Sequence, residues 1–234
     1  MPLGFLRRRR PERRGPGPEA EAAPGSGSPP GLPAATADEA VPHPVPFEAL
    51  TEEWRLTGRM VIRGRLSDAL NRREPIEISD VQWGPADGSA PLEPAPGLKS
   101  VDPYDLVVVL GGPGSLPPLS EEERAALRVH KVPFDVALEA PPFRVVGTVH
   151  LYPGWEPERL LEGGSRGGAA MFVPVTDAQV THQGNPIPGG TVEIALVNRF
   201  YLRGVVEVDR RTGQPAPKLP GQPLGGTSWR ERSR

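Results

Sequence analysis

Three stretches of this 234-residue chain have residue types and spacings that could do chemistry. Residues 105–114, DLVVVLGGPG, run an apolar, β-branched segment into a glycine-rich turn, as phosphate-binding loops do. Residues 163–167, GGSRG, satisfy the G-x-S-x-G pattern of a nucleophile elbow around Ser165. Asp80 and Asp177 follow a hydroxyl residue in two similar apolar segments, IEISDVQ and VPVTDAQ, where paired carboxylates could do acid–base work.

Each stretch also has a structural account, and the surroundings favour it. A phosphate loop of P-loop type ends in Gly-Lys-Ser/Thr, and a dinucleotide loop runs G-x-G-x-x-G into a helix. Here the glycines meet Ser115-Leu116-Pro117-Pro118, with no lysine and with prolines breaking the way into a helix. An elbow needs a strand before its serine and a helix after it, whereas PERLLEG precedes Ser165 and the strand-like MFVPV follows. The Asp and His that follow it in elbow order, Asp177 and His182, would lie about 16 Å apart along one extended strand. GGSRGG therefore reads as a connection. Asp80 and Asp177 read as turn or bulge devices whose side chains satisfy nearby backbone N–H groups at strand ends.

The histidines are His43, His130, His150 and His182. His150 and His182 could approach each other if their strands pair, but a metal site wants three or more ligands and no spacing here demands one. The chain has no cysteine, which excludes disulfides, thiolate metal sites and cysteine nucleophiles. No cofactor or metal is expected.

The elements that would position these residues emerge from an internal repeat. VPFEAL at 45–50 matches VPFDVA at 132–137. WRLTGRMVI at 54–62 matches FRVVGTVHL at 143–151, both alternating apolar and polar with a central glycine. Period two over nine residues is a half-buried strand, and a shared glycine on its apolar face implies a bulge or a close backbone approach. IEISDVQ at 76–82 matches VPVTDAQ at 173–179. DLVVVL at 105–110 and VEIALV at 192–197 are taken as the closing strands, and the second unit adds YLRGVVEV at 201–208 after a tight turn at Asn198-Arg199. GGPG then marks the end of the first unit. Between the units, Ser120 and Glu123 form a capping box for a short helix over 120–130.

The expected architecture is mostly β: two related small antiparallel β units, barrel-like or sandwich-like, joined by a short helix, with disordered termini. The domains run 1–44 as a Pro/Gly/Arg-rich arm, 45–112 as the first unit, 113–131 as the linker, 132–208 as the second unit and 209–234 as a basic tail. Gly and Pro together number 60, crowded at the two ends, which lack the apolar residues to offset their ordering entropy. Residues 44–208 carry 15 basic and 22 acidic groups, while 209–234 carry 6 basic and 2 acidic. An acidic body argues against a broad nucleic-acid surface. Arg55, Arg59, Arg63 and Arg65 alternate along one strand as a possible basic stripe, with acids such as Glu77 on a neighbouring strand expected to oppose them. The run Arg7–Arg10 is not followed by an apolar segment, so it is not a signal peptide, and no transmembrane helix is expected. A cytoplasmic protein is the default.

Residues 64–71, GRLSDALN, together with IEISDVQ and VNRFYLRGV at 197–205, resemble a family of uncharacterised bacterial domains with an Arg-Leu-Ser-Asp-x-Leu-Asn segment and a Val-Asn-Lys/Arg segment before a last strand. The pattern is split here: the first unit has Arg65 to Asn71 but no Val-Asn-Arg, and the second has Val197-Asn198-Arg199 but Pro157-Glu158-Arg159-Leu160-Leu161 in place of the Ser-Asp segment. The resemblance implies two divergent copies of that domain and brings no catalytic residues. From the residues themselves, Ser67 is expected to cap a helical turn with Leu66 and Leu70 facing the body.

The function favoured is a non-catalytic β-rich scaffold or binding module, with a protein as the possible partner. The alternatives are a nucleic-acid- or anion-binding protein using the Arg-rich strand and tails, and a hydrolase using Ser165 or Asp177. The candidate binding surface is Arg65, Ser67, Asp68, Asn71, Asp80, Asp177, Asn198 and Arg199.

Overall fold

The computed structural model describes residues 42–112, 131–162 and 170–209, with Thr212, Gln214 and Pro215. The expected helix over 120–130, the GGSRGG segment, residues 1–41 and most of 210–234 lie outside the described residues.

The first half of the chain forms β1 (His43–Leu50), β2 (Trp54–Ile62), α1 (Leu66–Asn71), β3 (Ile76–Pro85), β4 (Glu93–Pro94), β5 (Ser100–Val101), a 3-10 turn (Pro103–Asp105) and β6 (Val108–Gly111). The second half forms β7 (Val132–Ala140), β8 (Phe143–Leu151), α2 (Arg159–Glu162), β9 (Phe172–His182), β10 (Asn185–Asn198), a 3-10 turn (Arg199–Tyr201) and β11 (Gly204–Glu207). All strands join one open, antiparallel sheet in the order β11-β7-β8-β9-β10-β6-β1-β2-β3-β4, with β5 also on β3. The protein is thus mostly β, as expected, but neither a pair of barrels nor a sandwich. The two halves are joined by direct pairing of β10 with β6, Val197 opposite Val108 through Ile194 opposite Gly111.

That pairing corrects the assignment of the closing strands. DLVVVL is not the counterpart of VEIALV; the two are neighbours in the sheet. β6 also pairs with β1, Leu50 opposite Val108, just as β11 pairs with β7, Glu139 opposite Gly204. The N–H of Val107 donates to the Leu50 carbonyl at 2.8 Å, and the N–H of Arg203 donates to the Glu139 carbonyl at 2.8 Å. The continuous apolar run of β6 has a simple cause: Val108 and Leu110 face one apolar core while Val109 faces the other. β10 does the same, with Ala195 and Val197 on one side and Leu196 on the other. A strand buried on both faces loses the alternating pattern that marks its neighbours.

The glycine and aspartate of each half meet at one device. β2 and β3 slip register between Thr57 and Arg59, and β8 and β9 slip between Val146 and Thr148. In each case two residues oppose one glycine, which is a β-bulge. A Cβ on Gly58 would lie 2.7 Å from the Ser79 carbonyl oxygen, and one on Gly147 would lie 2.8 Å from that of Thr176. Asp80 and Asp177 are the bulged residues, at φ 52° and 49°. The expectation of a bulge or close approach holds, but both aspartates sit mid-strand rather than at strand ends. VPFEAL and VPFDVA lie in β1 and β7 but two residues out of step: His43 opposes Ile62 where Val132 opposes Leu151. A two-residue slip keeps every side chain on its own face, so alternation alone could not detect it.

In α1, Leu66, Ala69 and Leu70 are buried at helical spacing. Burying Leu66 draws it into the first turn, so the cap falls on Arg65, which offers no capping bond. Ser67, expected to cap, sits inside the helix and reaches only Asp68, at 3.5 Å.

Candidate functional site

The residues with the most unusual environment gather where β10 hands over to the turn before β11, alongside the turn that leads into β6. Asn198 is completely buried. Its Nδ2 donates to the Leu106 carbonyl at 2.8 Å and to the Pro103 carbonyl at 3.3 Å. Its Oδ1 accepts the Phe200 N–H at 3.0 Å, capping the 3-10 turn. Its own N–H donates to the Val107 carbonyl at 2.9 Å. One side chain thus holds two turns about 90 residues apart in sequence. Asp102 builds the other turn in the same way, accepting the Tyr104 N–H at 3.0 Å. Val101-Asp102-Pro103 and Val197-Asn198-Arg199 thus each lead from a strand end into a 3-10 turn capped by its middle residue.

The ring two residues after each cap is presented outward. Tyr104 and Phe200 are 43% and 39% exposed, yet their centroids lie 5.6 Å apart at a 33° tilt. The Arg73 guanidinium lies 6.0 Å over the Phe200 ring, a cation–π contact. Arg73 reaches this place from the residues just after α1, in a backbone with φ 63°. The Tyr201 hydroxyl donates to the Tyr104 carbonyl at 3.1 Å, and Arg203 Nη1 donates to the carbonyls of Phe200 and Leu202 at 3.1 and 3.3 Å. The Arg199 N–H donates to the Met171 carbonyl. Its Nε is shut off from solvent without a hydrogen-bond partner among the described residues, and burial lowers its pKa. Burial pushes the Asp105 carboxyl up, and the nearby Asp102 charge adds to the shift.

Of the residues singled out from the sequence, Asn71, Asn198 and Arg199 belong to this region. Asn71 Oδ1 accepts the Phe172 N–H at 2.9 Å while its Nδ2 donates to the Ser67 carbonyl, tying α1 to the start of β9. Arg65, Ser67 and Asp68 build the start of α1, and Asp80 and Asp177 occupy the two bulges. The sequence reading missed Tyr104, Phe200, Tyr201, Arg73 and Arg203. An aromatic residue two positions after Asp102 and again after Asn198 was the available signal.

The other candidates separate. His182 opposes Phe143 at one end of the β8–β9 pair and lies 5.3 Å from its ring, while His150 sits at the other end of β8, so the two do not meet. Among the described residues, no group of three or more His, Asp or Glu could hold a metal ion. Arg55 is held by Glu48 at 2.8 Å rather than by Glu77, which takes a charge out of the proposed stripe. Trp54 stacks on Trp83 at 4.5 Å, and Tyr152 meets Trp155 edge-on at 5.5 Å; these are isolated pairs, not a ladder. No helix among the described residues is long and apolar enough to cross a membrane.

The fold and this surface define an antiparallel β scaffold carrying an aromatic–arginine patch on two capped turns. No family model, curated protein or solved structure matches the chain.

Proposed function

We propose that this protein is a non-catalytic binding module, a β scaffold that holds a protein partner at the Tyr104–Phe200 patch. The observation that carries the reading is the pair of outward rings held in contact by two side-chain-capped turns that the buried Asn198 ties together. Exposed aromatic residues lose little entropy on binding when their backbone is already fixed, and Tyr and Arg are over-represented among residues that dominate interface energetics. The scaffold itself reads as two divergent copies of one β unit, the unit marked by the Arg-Leu-Ser-Asp-x-Leu-Asn pattern, with the bacterial cytoplasm as its expected setting. The matching bulges at Gly58/Asp80 and Gly147/Asp177, and the matching caps at Asp102 and Asn198, support the duplication.

The test is site-specific photo-cross-linking of the full chain in its native cells. A cross-linker at Phe200 is expected to give a discrete protein adduct. The same probe at Trp54, exposed elsewhere on the sheet, is expected to give none. Equal products from both positions, or none from Phe200, would end the proposal.

A further inference from the structure

We infer that the patch takes an acidic peptide segment, one that sets an aromatic or aliphatic side chain on the Tyr104–Phe200 rings and aims carboxylates at Arg199 and Arg203. This rests on the binding-module reading above and names the partner's chemistry.

The charge balance at the patch carries the inference. Elsewhere in the sheet, strand arginines have their acids: Arg55 with Glu48 at 2.8 Å and Arg144 with Glu139 at 2.9 Å. Arg199 and Arg203 have no carboxylate within ion-pair distance among the described residues. Arg203 spends Nη1 on two backbone carbonyls, which fixes the guanidinium fork beside Phe200 and leaves its remaining donors available. Arg199 is partly buried, with its Nε shut off from solvent, and no carboxylate among the described residues neutralises its charge. Of the acids at the same turns, Asp102 accepts the Tyr104 N–H, and Asp105 is partly buried. A planar fork matches a carboxylate in bidentate geometry, and the two rings match a flat or branched apolar side chain.

A carboxylate-bearing peptide fits better than a polyphosphate. Nucleic acid binding requires many cations along a track, and the chain from 44 to 208 carries seven more acids than bases. Two or three arginines in an acidic field admit one or two carboxylates and repel a long polyanion.

The experiment titrates the full chain with three probes: a short peptide of alternating Glu and Tyr, its counterpart with Gln for every Glu, and an oligothymidylate. Binding is read by calorimetry and by amide NMR shifts. The Glu peptide is expected to shift the amides of Tyr104, Phe200 and Arg203, and to bind at least about tenfold more tightly than the Gln peptide, the equivalent of one well-made contact. Arg199→Gln and Phe200→Ala should each weaken it by about as much, and added salt should weaken it further. If one variant fails to fold, the other carries the test. Equal binding of the Glu and Gln peptides would overturn the acidic class while leaving a binding patch in place. Preference for the oligothymidylate, or no shift at the patch with either peptide, would overturn the inference outright.

Discussion

Replacing Asn198 with alanine should cost far more than replacing its counterpart Asp102. The Asn198 side chain makes three hydrogen bonds in a fully buried position, donating to Leu106 and Pro103 and accepting from Phe200. The Leu106 residue is itself inaccessible, so its carbonyl would lose its close partner with no water to replace it, at about 1–3 kcal/mol. The Phe200 N–H is partly buried and would forfeit about 0.5–1.5 kcal/mol. The 3.3 Å bond to Pro103 is long and adds little, while the missing amide leaves a small void. The expected loss is about 2–4 kcal/mol, a large share of a domain's usual 5–15 kcal/mol. Asp102→Ala removes one capping bond at an exposed site, worth about 1 kcal/mol. Urea unfolding followed by tryptophan fluorescence, with the slope checked for two-state behaviour, measures both. Equal losses for the two variants, or a loss under about 0.5 kcal/mol for Asn198→Ala, would refute the claim that this side chain joins the two turns. Asn198→Asp separates donor from acceptor: it keeps the Phe200 cap but turns a carboxylate toward two carbonyl oxygens. It should be less stable at neutral pH and recover as the acid is protonated.

Other expectations follow from the same geometry. Gly147→Ala pushes a Cβ to 2.8 Å from the Thr176 carbonyl oxygen and should cost about 1–3 kcal/mol, whereas Gly112→Ala, with open space around it, should be near neutral on thermal denaturation. Asp177→Val should lose about 1–2 kcal/mol because φ 49° is hostile to a β-branched residue, while Asp177→Gly should stay close to the parent in urea titration. Asp105 has its carboxyl pKa raised in the fold, first by burial and then by Asp102, so the folded state holds its proton more tightly than the unfolded one. Stability from this group is therefore present below the ordinary value of 3.8 and falls as pH rises through the raised value. Asp105→Asn should raise the melting temperature at pH 7 and do little at pH 3; a uniform shift at both would exclude this cause.

The local devices were legible because they are written in residues that nothing else explains. Glycine in the middle of an apolar strand face, twice, called for a bulge, and Gly58 and Gly147 both stand too close to a facing carbonyl to carry a side chain. Leu66 and Leu70 were legible as one buried face of a helical turn. The cap of that turn was misread because Ser67 is a good capping residue only where packing lets it stand outside the helix. The register of the VPF blocks is not legible in the sequence, because a shift of two residues leaves the side-chain pattern unchanged.

Residue types and their alternation by themselves determined that this chain builds antiparallel β structure with bulged strands and an acidic body. They also determined that its phosphate-loop and elbow motifs lack the contexts those chemistries need. Only the tertiary structure decided that β6 lies between β1 and β10, and with it that two separate halves become one sheet. Backbone hydrogen bonds between strands hold any sequence with the right faces, so the choice of neighbour is not spelled in either strand. It follows from which apolar faces must be covered on both sides at once. The patch exists by that choice alone. Tyr104 and Phe200 are unremarkable turn residues until the pairing of β10 with β6 sets their two capped turns against each other.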